Sequence, residues 1–112
     1  MTALTEINEQ LQHAAVPVAR ALHTGPGFRV LLMGFNSGML LERHVLHHFT
    51  KLFLLEGELT YRDGQKTIPL NKHDTLNIPA DLEHELKANA DSLTMLIQGK
   101  QLRTKQNGYT TT

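Results

Sequence analysis

The chain has 112 residues, of which 40% are hydrophobic and 20% are charged, as in one soluble globular domain. Its 11 basic residues balance 11 acidic ones, so no basic surface for nucleic acid is expected. The absence of cysteine excludes disulfides, thiolate catalysis and thiolate metal sites. Nothing resembles a signal peptide or a membrane-spanning run, so we predict a cytoplasmic protein without a membrane partner.

The first 16 residues differ in pattern from the rest and form a predicted helical segment. A helix is predicted over Thr5–Ala15, because Ile7, Leu11 and Ala14 recur at helical spacing and share one face. Pro17 ends this pattern, since proline cannot continue a helix.

Residues 17–99 alternate short apolar runs with turns rich in Gly, Pro, Asn and Asp, which predicts eight to nine short strands in an all-β barrel or sandwich. In Asp63-Gly64, the glycine suits the positive φ of a tight hairpin turn. Residues 100–112 are polar and form a predicted tail. The predicted strands are Val18–His23, Phe28–Phe35, Met39–His48, Thr50–Leu55, Glu58–Tyr61, Gln65–Leu70, Asp74–Pro79, His84–Asn89 and Leu93–Gln98.

Two stretches carry a histidine at a set distance from a glycine or a proline. Gly38 precedes His44 with five residues between them, and Gly57 closes the stretch; Pro79 precedes His84 with four between them. These residues match parts of the two cupin motifs, G-x5-H-x-H-x(3,4)-E-x6-G and G-x5-P-x-G-x2-H-x3-N. From Val18 to Gln98, the chain therefore resembles a small single-domain cupin of the RmlC-like superfamily.

The resemblance implies a double-stranded β-helix, or jelly-roll barrel, with a short N-terminal helix. It also implies that His44 faces inward and that His84 lies on a neighbouring strand. Cupins that bind a metal usually hold it with three His and one Glu. Here the second His position is Leu46 and the Glu position is Thr50.

The second motif also departs from the family pattern. Its two glycine positions are His73 and Asp81, and its Asn position is Ala88. Residue for residue, only His44 and His84 match the metal ligands of the family.

Strand alternation adds candidates around His44. In a regular strand, the inward face that includes His44 also includes Glu42, Leu46, His48 and Thr50. A bulge would exchange His48 for His47. The predicted metal ligands are His44, His48 and His84. The predicted pocket residues are Glu42, Leu46, His47, Thr50 and Leu52, with Tyr61 and Gln98 as further polar candidates without a spacing argument.

Two functions fit this pattern. Three neutral imidazoles suit one divalent ion, such as Zn, Fe, Ni, Cu or Mn, which would act on a small organic substrate. The alternative is a non-catalytic cupin that binds or senses a small molecule without a metal, because Leu46 and Thr50 occupy two ligand positions. Whether the protein is an enzyme stays open at this stage.

A homodimer is also predicted. The runs Leu31–Met33 and Leu52–Leu55 are apolar on both strand faces. One face fills the barrel, and the other must be covered, for instance by a second subunit.

Overall fold

The computed structural model describes residues 2–44 and 48–99, and for Arg43 and His44 it describes the backbone alone. The predicted tail, 100–112, and the candidates Leu46 and His47 lie outside the described residues. Within the described ranges the elements are α1 (Ala3–Leu11), β1 (Val18–Gly25), β2 (Phe28–Phe35), β3 (Leu40–His44), β4 (Phe49–Glu56), β5 (Leu59–Asp63), β6 (Thr67–Leu70), β7 (Thr75–Ile78), β8 (His84–Ala88) and β9 (Ser92–Gly99).

The strands form two antiparallel sheets. Sheet A has the order β1-β2-β9-β4-β7, and sheet B has the order β3-β8-β5-β6. Their inner faces share one core, to which sheet A contributes Leu52 and Leu54 and sheet B contributes Leu59 and Tyr61, each at most 1% exposed. The predicted all-β barrel with a short N-terminal helix is therefore confirmed.

Helix α1 begins and ends earlier than predicted. Thr2 caps it, because the Thr2 hydroxyl accepts a 3.1 Å hydrogen bond from the backbone N–H of Thr5. At its other end, the side-chain amide of Asn36 donates a 2.7 Å hydrogen bond to the carbonyl of Leu11. That bond satisfies a terminal carbonyl where the helix stops.

The helix packs on the outer face of sheet A. Ile7 is completely buried there, against Val18 and Leu32. A Cβ atom on Gly34 would lie 2.6 Å from Ile7 Cγ2 and 2.9 Å from Leu11 Cδ1. The missing side chain at Gly34 therefore allows the helix to approach the sheet closely.

Two local predictions are wrong in detail. The predicted strand Met39–His48 is too long, because β3 ends at His44 in sheet B and His48 lies in a bend before β4 of sheet A. The predicted hairpin joins β5 and β6, but Gly64 does not adopt the expected positive φ. Instead, Oδ1 of Asp63 holds the turn by accepting 2.8 and 2.9 Å hydrogen bonds from the N–H groups of Gln65 and Lys66.

The outer face of sheet A is only partly covered by α1. Four apolar side chains away from the helix are between 38% and 50% exposed: Leu22, Phe28, Phe49 and Ile97. The homodimer stays a prediction. In the described residues, no helix is both long and apolar enough to cross a membrane.

Candidate ligand pocket

A cavity of about 220 Å³ lies between the two sheets, and we call it the inner cavity. Its apolar walls come from both sheets: Leu31, Met33, Leu41, Ile78, Leu86 and Leu96. Four further residues add polar atoms: Arg29, Thr50, His84 and Gln98. Apolar walls with a few polar groups are typical of sites for small organic molecules.

Three of the polar residues form a row across sheet A. Arg29 and Thr50 both pair with Gln98 in the strand register, so the three side chains share the inner face. Arg29 Nε donates a 2.8 Å hydrogen bond to Gln98 Oε1, and Gln98 Nε2 donates a 3.3 Å bond to Thr50 Oγ1. Thr50 and Gln98 are buried, whereas Arg29 is exposed. The row therefore runs from solvent into the barrel.

The charge of Arg29 is not neutralised by a carboxylate in the part of the chain that the structure describes. Arg20 pairs with Glu6 at 3.2 Å, and Arg62 pairs with Glu85 at 3.0 Å, whereas the contact of Arg29 is with the neutral amide of Gln98. A positive charge therefore stands at the opening of the inner cavity.

His84 supplies the polar group from sheet B. It is the first residue of β8, and only 1% of it is exposed. Its Nδ1 lies 3.0 Å from the carbonyl oxygen of Leu82. Because a carbonyl only accepts, Nδ1 carries a hydrogen and donates this bond.

Tyr61 packs against this histidine and is itself held by Asp63. The Tyr61 ring stacks on His84 with centroids 5.9 Å apart, and its hydroxyl donates a 2.7 Å hydrogen bond to Asp63 Oδ2. Burial, then the bond to Asp63, raises the pKa of Tyr61 far above its ordinary value of 10.0. The Gln65 N–H, then Tyr61, lowers the pKa of Asp63. At neutral pH, Tyr61 is therefore a neutral donor to an ionised carboxylate.

Two surface pockets adjoin the inner cavity. The entrance pocket, of about 340 Å³, shares Arg29 and Gln98 with it and is also lined by His48 and Phe28. A wider pocket of about 570 Å³ shares His84 and is otherwise formed by the β5–β6 turn and the residues beside β8, most of them polar; we call it the β5–β8 pocket. Of the three spaces, the inner cavity is the one with predominantly apolar walls drawn from both sheets.

No family model and no curated protein matches the sequence. Solved structures do match. A cupin superfamily protein from Desulfitobacterium hafniense has a TM-score of 0.71 and 20% identity, over 76% of this chain and 78% of that one. An RmlC-like cupin from Shewanella frigidimarina has a TM-score of 0.72 and 13% identity, over 80% of both chains. KdgF from a Halomonas species has a TM-score of 0.72 and 15% identity, over 80% of this chain and 85% of that one. The protein has the cupin fold.

The backbone conformation at the motif glycines agrees with this fold. Gly38 and Gly57, which match the first motif, have φ values of 89° and 95°. His73 and Asp81 stand at the two glycine positions of the second motif and have φ values of 77° and 64°. All four glycine positions of the two motifs therefore have a left-handed backbone, including the two at which this chain carries a side chain.

The predicted site residues fall into separate places in this cupin fold. Thr50 lines the inner cavity opposite His84, and Leu52 is completely buried in the core. His48 is exposed and lines the entrance pocket, and Glu42 is exposed on β3. The alternation that grouped His48 with His44 assumed one regular strand, whereas β3 and β4 are two strands in different sheets, so His48 as a partner of His44 stays a prediction.

His44 is described by its backbone. Its Cα pairs with that of His84 across β3 and β8, after a bulge that follows Leu41. Directly paired residues belong to the same face of a sheet, so the His44 position lies beside His84 in the register. Among the residues whose side chains are described, no three His, Asp or Glu groups come together as a metal site requires.

Arg29 is not among the site residues predicted from the sequence. The signal was present in the alternation of β2, where Arg29 has the same parity as Leu31, Met33 and Phe35. A single cation on an otherwise apolar strand face indicates a polar group directed toward the barrel interior. Gln98, by contrast, was a polar candidate without a spacing argument and does line the inner cavity.

Proposed function

We propose that this small cupin domain binds a small organic ligand in the inner cavity. The observation that supports the proposal is the cavity itself: about 220 Å³ of space with apolar walls from both sheets and polar atoms from Arg29, Thr50, His84 and Gln98. The polar atoms would set the orientation of the ligand, and the apolar walls would supply most of the binding free energy.

The cavity size limits the ligand. Sites for drug-sized molecules span roughly 300–1,000 Å³, and a cavity of roughly 150 Å³ holds benzene. The volume of about 220 Å³ therefore suits a compact body of benzene size that carries one small polar group. The entrance pocket offers a route inward past Arg29 and Gln98.

A thermal-shift screen of small acids, amides, alcohols and amines tests the proposal. A ligand that binds only the folded state adds about 2.7 kcal/mol at a concentration of 100 times its Kd, which raises the unfolding midpoint. Two variants locate the effect. Leu31→Phe fills the inner cavity, whereas Ile97→Phe makes a similar enlargement on the outer face of sheet A, where Ile97 is 39% exposed.

We expect at least one compound to raise the midpoint of the wild type and of Ile97→Phe, but not that of Leu31→Phe. The proposal would be contradicted if no compound in the library raised the unfolding midpoint of any of the three proteins. A shift that survives unchanged in Leu31→Phe would also contradict it, because binding would then lie outside the inner cavity.

A second candidate is one divalent metal ion held by His84 and His44. It is favoured by the register that pairs the two residues and by the bond from His84 Nδ1 to the Leu82 carbonyl. Metal-bound histidines commonly donate their other N–H to a carbonyl oxygen in this way. His48, the third predicted ligand, lines the entrance pocket, and its part in such a site stays a prediction. Such an ion would polarise or activate a bound substrate.

Elemental analysis of natively purified protein tests this candidate. We expect about one equivalent of a first-row metal per chain in the wild type, and a loss of it in His84→Gln. His73→Gln is the matched control, because His73 is an exposed histidine in a turn. Less than about a tenth of an equivalent of every first-row metal, even after soaking, would rule out an ordinary tight site.

A further inference from the structure

We infer that the ligand of the inner cavity is a small monocarboxylic acid whose carboxylate binds Arg29 beside Gln98. The inference rests on the proposed function, since it names the class of ligand for the same cavity. It starts from the single row of Arg29, Gln98 and Thr50 and from the charge at the outer end of that row.

Arg29 has donors left over after its contact with the protein. A guanidinium carries five N–H donors, and the bond from Nε to Gln98 Oε1 uses one of them. Within the described residues, no carboxylate neutralises this charge, in contrast to the pairs of Arg20 with Glu6 and Arg62 with Glu85. The planar fork of a guanidinium matches a carboxylate, which can accept two parallel hydrogen bonds.

Gln98 adds a directed donor beside the guanidinium. Its Oε1 accepts from Arg29 and its Nε2 donates to Thr50, so both ends of the amide have an assigned role. Nε2 carries two hydrogens, and the bond to Thr50 uses one of them. With only 5% of Gln98 exposed, the remaining hydrogen favours a partner that is a pure acceptor, as a carboxylate is.

The rest of the cavity determines the body of the acid. Arg29 is the single Lys or Arg among the described residues that line the inner cavity or the entrance pocket, which suits one negative charge. A phosphate monoester or a dicarboxylate would carry a second charge without a matching cation. The apolar walls beyond the row, formed by Leu31, Met33 and Leu96, suit a short branched or aromatic hydrocarbon body.

Matched acid and amide probes test the inference. Isothermal titration at pH 7, where a carboxyl group is ionised, compares benzoate with benzamide and 3-methylbutanoate with 3-methylbutanamide. The acid and the amide of each pair have nearly the same shape and differ in charge. For at least one pair, we expect the acid to bind the wild type about tenfold or more tightly than the amide, because a charge-assisted pair replaces a neutral contact.

Arg29→Gln should remove this preference by weakening acid binding about tenfold or more, while amide binding changes by less than about threefold. Arg62→Gln is the control, because Arg62 is an ion-paired arginine on β5 outside the inner cavity, and it should leave both affinities unchanged. Gln98→Glu is a second, independent variant. It places a carboxylate against Arg29, so it should abolish acid binding by competition and charge repulsion.

The outcomes separate this inference from the proposed function. Equal binding of acid and amide, or an acid preference that survives in Arg29→Gln, would overturn the monocarboxylate assignment. If Leu31→Phe then still abolishes binding of the neutral probes, the cavity remains a ligand site. If neither member of any pair binds, the monocarboxylate assignment is also overturned, and the wider library screen decides whether the cavity binds anything.

Discussion

Arg29 and Gln98 lie directly opposite each other in sheet A, and Arg29 Nε donates a 2.8 Å hydrogen bond to Gln98 Oε1. The bond connects an exposed cation to a buried amide, and the amide in turn donates a hydrogen bond to the Thr50 hydroxyl. Because each polar atom in the row restrains the next, the wall of the inner cavity presents its donors in a fixed arrangement. Such preorganisation lowers the entropy cost of binding a ligand.

Gly57 should be far less tolerant of a side chain than Gly38. Both have left-handed backbones, which cost a non-glycine residue about 1–2 kcal/mol. A Cβ at Gly57 would also collide with the Ser92 hydroxyl and the Asp91 carbonyl, whereas none of the described atoms lies within 4 Å of a Cβ at Gly38. Chemical denaturation should show Gly57→Ala to be less stable than Gly38→Ala by about 1–3 kcal/mol. Equal losses would contradict this account of Gly57.

His73→Gly should stabilise the protein. His73 is exposed and has a φ of 77°, a conformation that costs an L-residue about 1–2 kcal/mol. Glycine removes that strain and costs about 0.5–1 kcal/mol in chain entropy, so we expect a net gain of about 0.5–1 kcal/mol. His73→Ala is the control, and it should bring no gain because alanine keeps the strain. A loss of stability in His73→Gly would show that the imidazole contributes to the fold.

Tyr61 should make the protein sensitive to alkaline pH. Its pKa is raised in the folded state above the ordinary value of 10.0, so folding favours the protonated phenol. This contribution is fully present below pH 10 and is lost as the pH rises from there toward the folded-state pKa. Denaturation between pH 8 and pH 11.5 should show a steeper alkaline loss of stability for the wild type than for Tyr61→Phe.

At pH 7, the same Tyr61→Phe variant should be less stable than the wild type by about 1 kcal/mol, since it loses the hydrogen bond to Asp63. Parallel alkaline curves for the two proteins would contradict the assigned role of the phenol.

The predicted homodimer can be measured directly. Light scattering coupled to size exclusion should give the mass of two chains, because the outer face of sheet A carries exposed apolar side chains. Ile97→Lys should shift the mass toward one chain, whereas Leu4→Lys, at an apolar position 42% exposed on α1, should not. A wild-type monomer at high concentration would refute the prediction.

The fold was predictable from the sequence because its signals are local. Apolar runs, turn residues and the spacing from Gly38 to His44 and from Pro79 to His84 each depend on few neighbours. Helix α1 was misplaced at both ends because its cap, Thr2, lies outside the apolar pattern and its last turn meets Asn36, 25 residues along the chain.

The site was less predictable, because it depends on which strands face each other. His48 and Thr50 are close in sequence, but His48 precedes β4 in a bend and Thr50 points into the barrel. Arg29 reaches its partner across 69 residues of sequence, a contact that only the β2–β9 register creates. His84 was found from its motif position, yet its bond to Leu82 follows from the turn at Asp81.

Methyl NMR of protein labelled at Leu, Ile and Met, titrated with the screened small organic molecules, tests the claim that the inner cavity is a ligand site. We predict that at least one compound shifts the signals of Leu31, Met33 and Leu96 in a saturable way and leaves those of Leu4 and Leu22 unchanged. If no compound moves the three cavity signals, or if the shifts are confined to Leu82 beside the β5–β8 pocket, the claim is contradicted.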